Sequence, residues 1–147
     1  MASFAARGFL RMDACVPDAI NQRFLERVKV SAGTEKQDPL AHYARLMHEQ
    51  AVPFVNPGTL WRDAYPARTP IGDMLRLPSV AGAIQSLVGK RCVVDHHFLH
   101  ITFPPTYTPG RPKKAQHTHQ DSTIDPRRAF DLQIMYFPHN VTLAMGG

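Results

Sequence analysis

A change of hydrophobic period at Gly89 constrains this chain more than any other feature. Before it, Val80, Ile84, Leu87 and Val88 recur at helical spacing; Pro78 is placed to open that helix and Gly89 to end it. After it, residues 92–103 are rich in β-branched and aromatic side chains with a period of two. One face carries Val93, Asp95, His97, Leu99, Ile101 and Phe103, the other Cys92, Val94, His96, Phe98, His100 and Thr102. Neither face is purely polar, so the strand is expected to be covered on both sides. Helical segments first and strands second predict an α+β fold.

The rest of the chain fits that division. Residues 8–12 alternate weakly and are expected to form a short strand. Pro17 and Asp18 open a helix that stacks Ile20, Phe24 and Val28, with Leu25 beside them. Asp38 and Pro39 start another, with a capping carboxylate followed by proline at the first helical position. It presents Leu40, Tyr43, Leu46 and Met47 to a core and leaves His42 and His48 off the apolar stripe, as solvated helix histidines. Pro53, Pro57, Pro66 and Pro70 break the middle into loop and short helical turns. Trp61 there reads as a core-covering aromatic beside a surface arginine, Arg62. Beyond a proline-rich loop over 104–116, a strand is expected over 130–137, with Leu132, Ile134 and Tyr136 opposite Asp131, Gln133, Met135 and Phe137. Pro138 ends it, and a further strand is expected from Val141 to Met145.

Length and charge limit the function classes. A chain of 147 residues supports one modest core. The net charge of +5 is scattered, apart from Arg111, Lys113 and Lys114 in a proline-containing loop. That cluster reads as a solvated loop or as a rim attracting an anionic substrate, not as the basic, aromatic-interleaved stripe of a nucleic-acid binder. No run approaches the ~18 apolar residues of a membrane span, and the opening residues do not form a signal peptide. Two cysteines, Cys15 and Cys92, make no disulfide framework, which points to a reducing, cytoplasmic compartment.

The chemistry concentrates in His117-Thr118-His119-Gln120-Asp121. In an extended backbone residues two apart share a face, so His119 and Asp121 aim an imidazole and a carboxylate at one point. Such a pair is two-thirds of the 2-His-1-carboxylate triad that holds non-haem Fe(II) with coordination positions left open. The tripeptide His-x-Asp is weak evidence alone; a long strand before it and another after it strengthen it, because a jelly roll puts such a loop at its open mouth. His117 lies about 6–7 Å further along the strand and is not expected to ligate. His96, His97 and His100 offer no alternative: His96 and His100 share a face but stand roughly 13 Å apart, too far for one metal.

These residues carry a resemblance. The chain resembles the N-terminal part of the phytanoyl-CoA dioxygenase-like family of Fe(II)/2-oxoglutarate oxygenases. Gly8-Phe9-Leu10 before a proline-started helix resembles that family's entry segment. Leu77-Pro78 through Gly89 resembles the helix before its first long barrel strand, Phe103-Pro104-Pro105 the end of that strand, and His119-Gln120-Asp121 its iron motif. Residues 132–147 resemble the strand leading to the glycine that precedes the family's distal histidine segment.

The resemblance implies N-terminal helices over 1–89 packed on a double-stranded β-helix, a jelly-roll or cupin-like barrel, whose first strands occupy 90–147. It implies His119 and Asp121 as iron ligands, and Leu99, Gln120, Phe137 and Arg62 as contacts for 2-oxoglutarate. Fe(II), 2-oxoglutarate and O2 would serve hydroxylation of an unactivated C–H in a small-molecule or acyl substrate, with neither nucleic acid nor membrane as partner. Asp121 opposes a halogenase, since its carboxylate fills the position a chloride would need. The distal histidine and the arginine that pairs with 2-oxoglutarate are not matched within the 147 residues. The expectation is therefore an incomplete barrel, a single partial domain inactive by itself. The alternatives are a non-catalytic fragment or pseudoenzyme, and a jelly-roll protein that binds a metal or small ligand without oxygenase activity.

Overall fold

A computed structural model describes residues 2–28, 46, 55–94 and 131–142. Contacts divide the chain into two units, Met1–Leu99 and His100–Gly147. In the first, the described elements are α1 (Ala2–Arg7), α2 (Asp18–Val28), β1 (Thr59–Leu60), α3 (Trp61–Ala64), α4 (Pro70–Arg76), α5 (Pro78–Val88) and β2 (Val93–Val94).

The two longest of the described helices form where the sequence places them. In α2, Phe24 and Val28 are buried and Ile20 is half-buried, as the i, i+4, i+8 spacing requires. The first turn is anchored by the Ile20 and Asn21 amides donating to the Pro17 carbonyl at 2.9 and 3.2 Å. Helix α5 starts at Pro78, buries Val80 and Ile84, and stops at Gly89, whose φ of +85° suits a residue without Cβ. Leu77 ends α4 and begins α5 with φ −57° and ψ 134°. The following proline disfavours helical geometry there, so the chain breaks into two helices at that point.

The expected middle of short turns is also present. Asn56, Pro57, Gly58 and Thr59 form a tight turn closed by the Thr59 amide on the Asn56 carbonyl at 3.2 Å, with Gly58 at φ +83°. Proline and then a positive-φ glycine in the central positions is a type II arrangement. The turn delivers Thr59 opposite Val94 and Leu60 opposite Val93 in an antiparallel pair. Gly58 and Trp61 extend the pairing through their amides, which donate to Val94 and Cys92.

Helix α4 is the centre of this unit and packs against α2, α3 and α5. Thr69 caps it, accepting from the Gly72 amide at 3.2 Å, and Pro70 occupies the first helical position. Met74 and Leu75 enter the core with Phe24, Val28, Val55, Trp61, Ala64, Tyr65, Val80 and Ile84. Leu46 is also helical and, at 1% exposure, among the most buried of the described side chains, as expected; the rest of its predicted helix, including Leu40, Tyr43, Met47, His42 and His48, lies outside the described residues.

Two strand expectations are corrected. Residues 8–12 form no strand. A helix, α1, occupies Ala2–Arg7, and Gly8, at φ +74°, donates to the Phe4 carbonyl at 2.8 Å. The glycine thus acts as a helix terminator, which bends the chain out of any extended path, and Phe9 is left exposed. In the second unit, residues 131–137 form no ladder either. Alternation alone does not make a strand; a strand needs a paired edge, and none of the described residues supplies one. Leu132 and Tyr136 are half-buried on one face, but Ile134 is exposed. Pro138 and His139 form the expected bend. Of the strand expected over 92–103, Val93–Val94 is present and residues 95–103 lie outside the described residues, as does the expected barrel.

Gly72 is the most closely packed of the described glycines. A Cβ there would collide with the Pro66 carbonyl and stand 2.8 Å from Thr69 Oγ1 and 2.9 Å from Arg76 Nη1. Backbone and capping groups cannot yield as a flexible side chain does. Gly72→Ala is therefore expected to destabilise the protein by about 1–3 kcal/mol, the range for overpacked sites, read as a lower urea midpoint at an unchanged slope.

Candidate functional site

Of the residues singled out in the sequence, His117, His119, Gln120, Asp121 and Leu99 lie outside the described residues. Phe137 is 62% exposed in the second unit, and Arg62 is exposed in the first. His139 is exposed, with Nδ1 3.0 Å from the Asn140 carbonyl oxygen. Among the described residues no three His, Cys, Asp or Glu side chains gather as a metal site.

The described chemistry lies instead around the joint of α3, α4 and α5. Trp61, Arg62, Asp63, Arg76 and Ala81 line a cavity of about 390 Å³. Trp61 is only 5% exposed, and its position follows from the β1–β2 pair, which fixes the residue directly after Leu60. The Arg62 guanidinium lies over the indole, 5.3 Å from the ring centroid, a cation–π arrangement. Arg76 runs back along α4, donating from Nη1 to the Gly72 carbonyl at 2.7 Å and from Nη2 to the Arg62 carbonyl at 2.8 Å. The second bond ties α4 to α3 and sets the two arginines at one cavity. The indole N–H of Trp61 is buried with no acceptor among the described residues, a condition that costs on the order of 1–3 kcal/mol.

A second polar cluster holds α4 to α2. Asp73 Oδ2 accepts from Arg23 Nη2 at 2.8 Å, and Oδ1 accepts from the Arg68 amide at 2.8 Å. Arg23 Nη2 also donates to the Arg68 carbonyl at 3.1 Å. Arg68 has φ +68°, a conformation side chains seldom adopt, and both its backbone groups are held by this cluster. The hydrogen bond from Arg23 is the main reason the Asp73 carboxyl is held below the ordinary carboxylate range, with further help from the Arg68 amide and the charges of Arg23 and Arg76; partial burial opposes them.

Neither cysteine is in a disulfide, and burial pushes the Cys92 thiol up, opposite to the shift that activates a thiol. No helix among the described residues is long and apolar enough to cross a membrane.

Sequence reasoning named Arg62 but missed Arg76, Asp63 and Ala81 as its neighbours. Arg62 and Arg76 are fourteen positions apart, and only the reversal between α3 and α4 brings them together. No local pattern encodes that meeting.

No family model, curated protein or solved structure matches the chain.

The Asp73 cluster gives a pH dependence of definite sign. The folded-state pKa is depressed, so the ionised carboxylate adds stability that is fully present above the unfolded value of about 3.9. That stability disappears as pH falls through the lower, folded value. The stability difference between the parent protein and Asp73→Asn is expected to be constant from pH 5 to 7 and to shrink below pH about 4. Urea unfolding at a series of pH values measures it.

Proposed function

We propose that this chain carries part of an Fe(II)/2-oxoglutarate-dependent dioxygenase that hydroxylates an unactivated C–H of a small organic or acyl substrate. The observation that carries the reading is His119-Gln120-Asp121, set between a stretch rich in β-branched and aromatic residues and a second apolar alternating segment. The donor chemistry suits the metal. One neutral imidazole and one carboxylate, spaced two apart, are borderline and hard donors appropriate to Fe(II) and leave the ion open to co-substrate. The helix Pro78–Val88 followed by extended pairing at Val93–Val94 supports the order of elements that the reading requires.

In this reading His119 and Asp121 hold the ion and a second histidine completes the triad. Gln120 and Phe137 are assigned to 2-oxoglutarate, Phe137 through its exposed ring. Bound Fe(II), with 2-oxoglutarate and O2, supplies the oxidising power, and the protein supplies position and exclusion of water. Asp121 contributes the negative charge that two neutral donors lack, so its loss should be more damaging than its size suggests.

Titration of the chain with Mn(II), an oxygen-stable stand-in for Fe(II), tests the ligand register by electron paramagnetic resonance. Two protein ligands bind a divalent first-row ion weakly, and this weak binding is expected to vanish in His119→Ala and in Asp121→Ala. His117→Ala should lower it only modestly. Equal damage from His117→Ala and His119→Ala would refute the register. Where a second histidine completes the triad, Asp121→Ala is expected to abolish 2-oxoglutarate-dependent succinate formation.

A further inference from the structure

We infer that the cavity at Trp61, Arg62 and Arg76 is a binding site for a phosphate group of a small molecule. Three observations carry this. First, two guanidinium groups line one cavity of about 390 Å³, and neither is paired with a carboxylate, since the ion pairs among the described residues are Arg11–Asp13 and Arg23–Asp73. Asp63 also lines the cavity, leaving a net charge of +1 from the three side chains. Secondly, the donors are not exhausted. An arginine has five N–H donors, and the two hydrogen bonds of Arg76 are to backbone carbonyls, so neither is an ion pair. The Arg62 side chain has no hydrogen-bond partner among the described residues and rests on the indole face. Thirdly, Trp61, whose buried N–H has no acceptor among the described residues, lines the same cavity.

The number of donors favours phosphate over carboxylate. A carboxylate presents two oxygens in one plane, which one arginine fork satisfies. A phosphate monoester presents three strong acceptor oxygens and a charge between −1 and −2 at neutral pH. That matches donors on two separate arginines, Arg62 and Arg76, from two helices, with the unsatisfied Trp61 N–H beside them.

This inference does not rest on the iron reading, and the experiment separates the two. Trp61 is the chain's single tryptophan, so its fluorescence reports this cavity alone. The intact chain is titrated with inorganic phosphate in the presence of EDTA, against sodium chloride at matched ionic strength and against succinate as a dicarboxylate. Saturable change with phosphate at millimolar concentration, absent with chloride and weaker with succinate, is the expected result. Arg62→Gln, a surface substitution whose fold is checked by circular dichroism, should weaken the phosphate response at least fivefold, and a variant carrying both His119→Ala and Asp121→Ala should leave it unchanged. A response reproduced by chloride, a stronger response to succinate, or an undiminished response in Arg62→Gln would each overturn the assignment.

Discussion

The carboxylate of Asp73 is the interaction on which the described fold of the first unit turns. Its two oxygens reach different segments: Oδ2 holds Arg23 on α2, and Oδ1 holds the backbone of Arg68 in the loop before α4. An ion pair with partly exposed members contributes little energy by itself. What it contributes here is direction. The apolar burial of Phe24, Met74, Leu75 and Ile84 supplies the larger driving force, but burial is non-directional and would tolerate several rotations of α4. The bonds at Asp73 select one of them. Once α4 is set, Gly72 must sit against Pro66, Arg76 must reach back to α3, and Leu77 must turn the chain into α5.

Elements governed by their own end residues were legible in the sequence. Pro78 and Gly89 bracket α5 because proline pre-sets the first helical φ and glycine accepts the left-handed stop. Asp18–Val28 follows from its apolar spacing, with Phe24 and Val28 buried. Elements that depend on a distant partner were not legible. Thr59–Leu60 is too short to show a period, and it is a strand only because Val93–Val94 lies beside it. The converse error occurs at residues 131–137, where alternation is present and a ladder is not. At Gly8 the same glycine is compatible with a strand edge or a helix stop, and the helix before it, unremarked in the sequence, decided the outcome.

The candidate chemistry divides along the same line. His119 and Asp121 are visible in sequence because their relation is local, two positions apart along the chain. The cavity at Trp61 is visible only in three dimensions, because Arg62, Arg76 and Ala81 belong to three helices. Trp61 itself was read as a core aromatic beside a surface arginine, and it is one. What that reading lacked was the second arginine, whose bond to the Arg62 carbonyl turns a surface pair into a cationic cavity.

Electrostatics keeps the two chemistries apart without any appeal to how the units are arranged. A divalent cation entering the Trp61 cavity meets two guanidinium groups and one carboxylate, that of Asp63. The net charge repels it, and a single carboxylate is fewer than the three protein donors a non-haem iron centre uses. An anion meets the opposite conditions: donors in excess of acceptors and a positive field in a partly enclosed space, where attraction is stronger than in open water. The cavity therefore does not suit a divalent cation, and the proposed iron reading takes its donors from His119 and Asp121 instead.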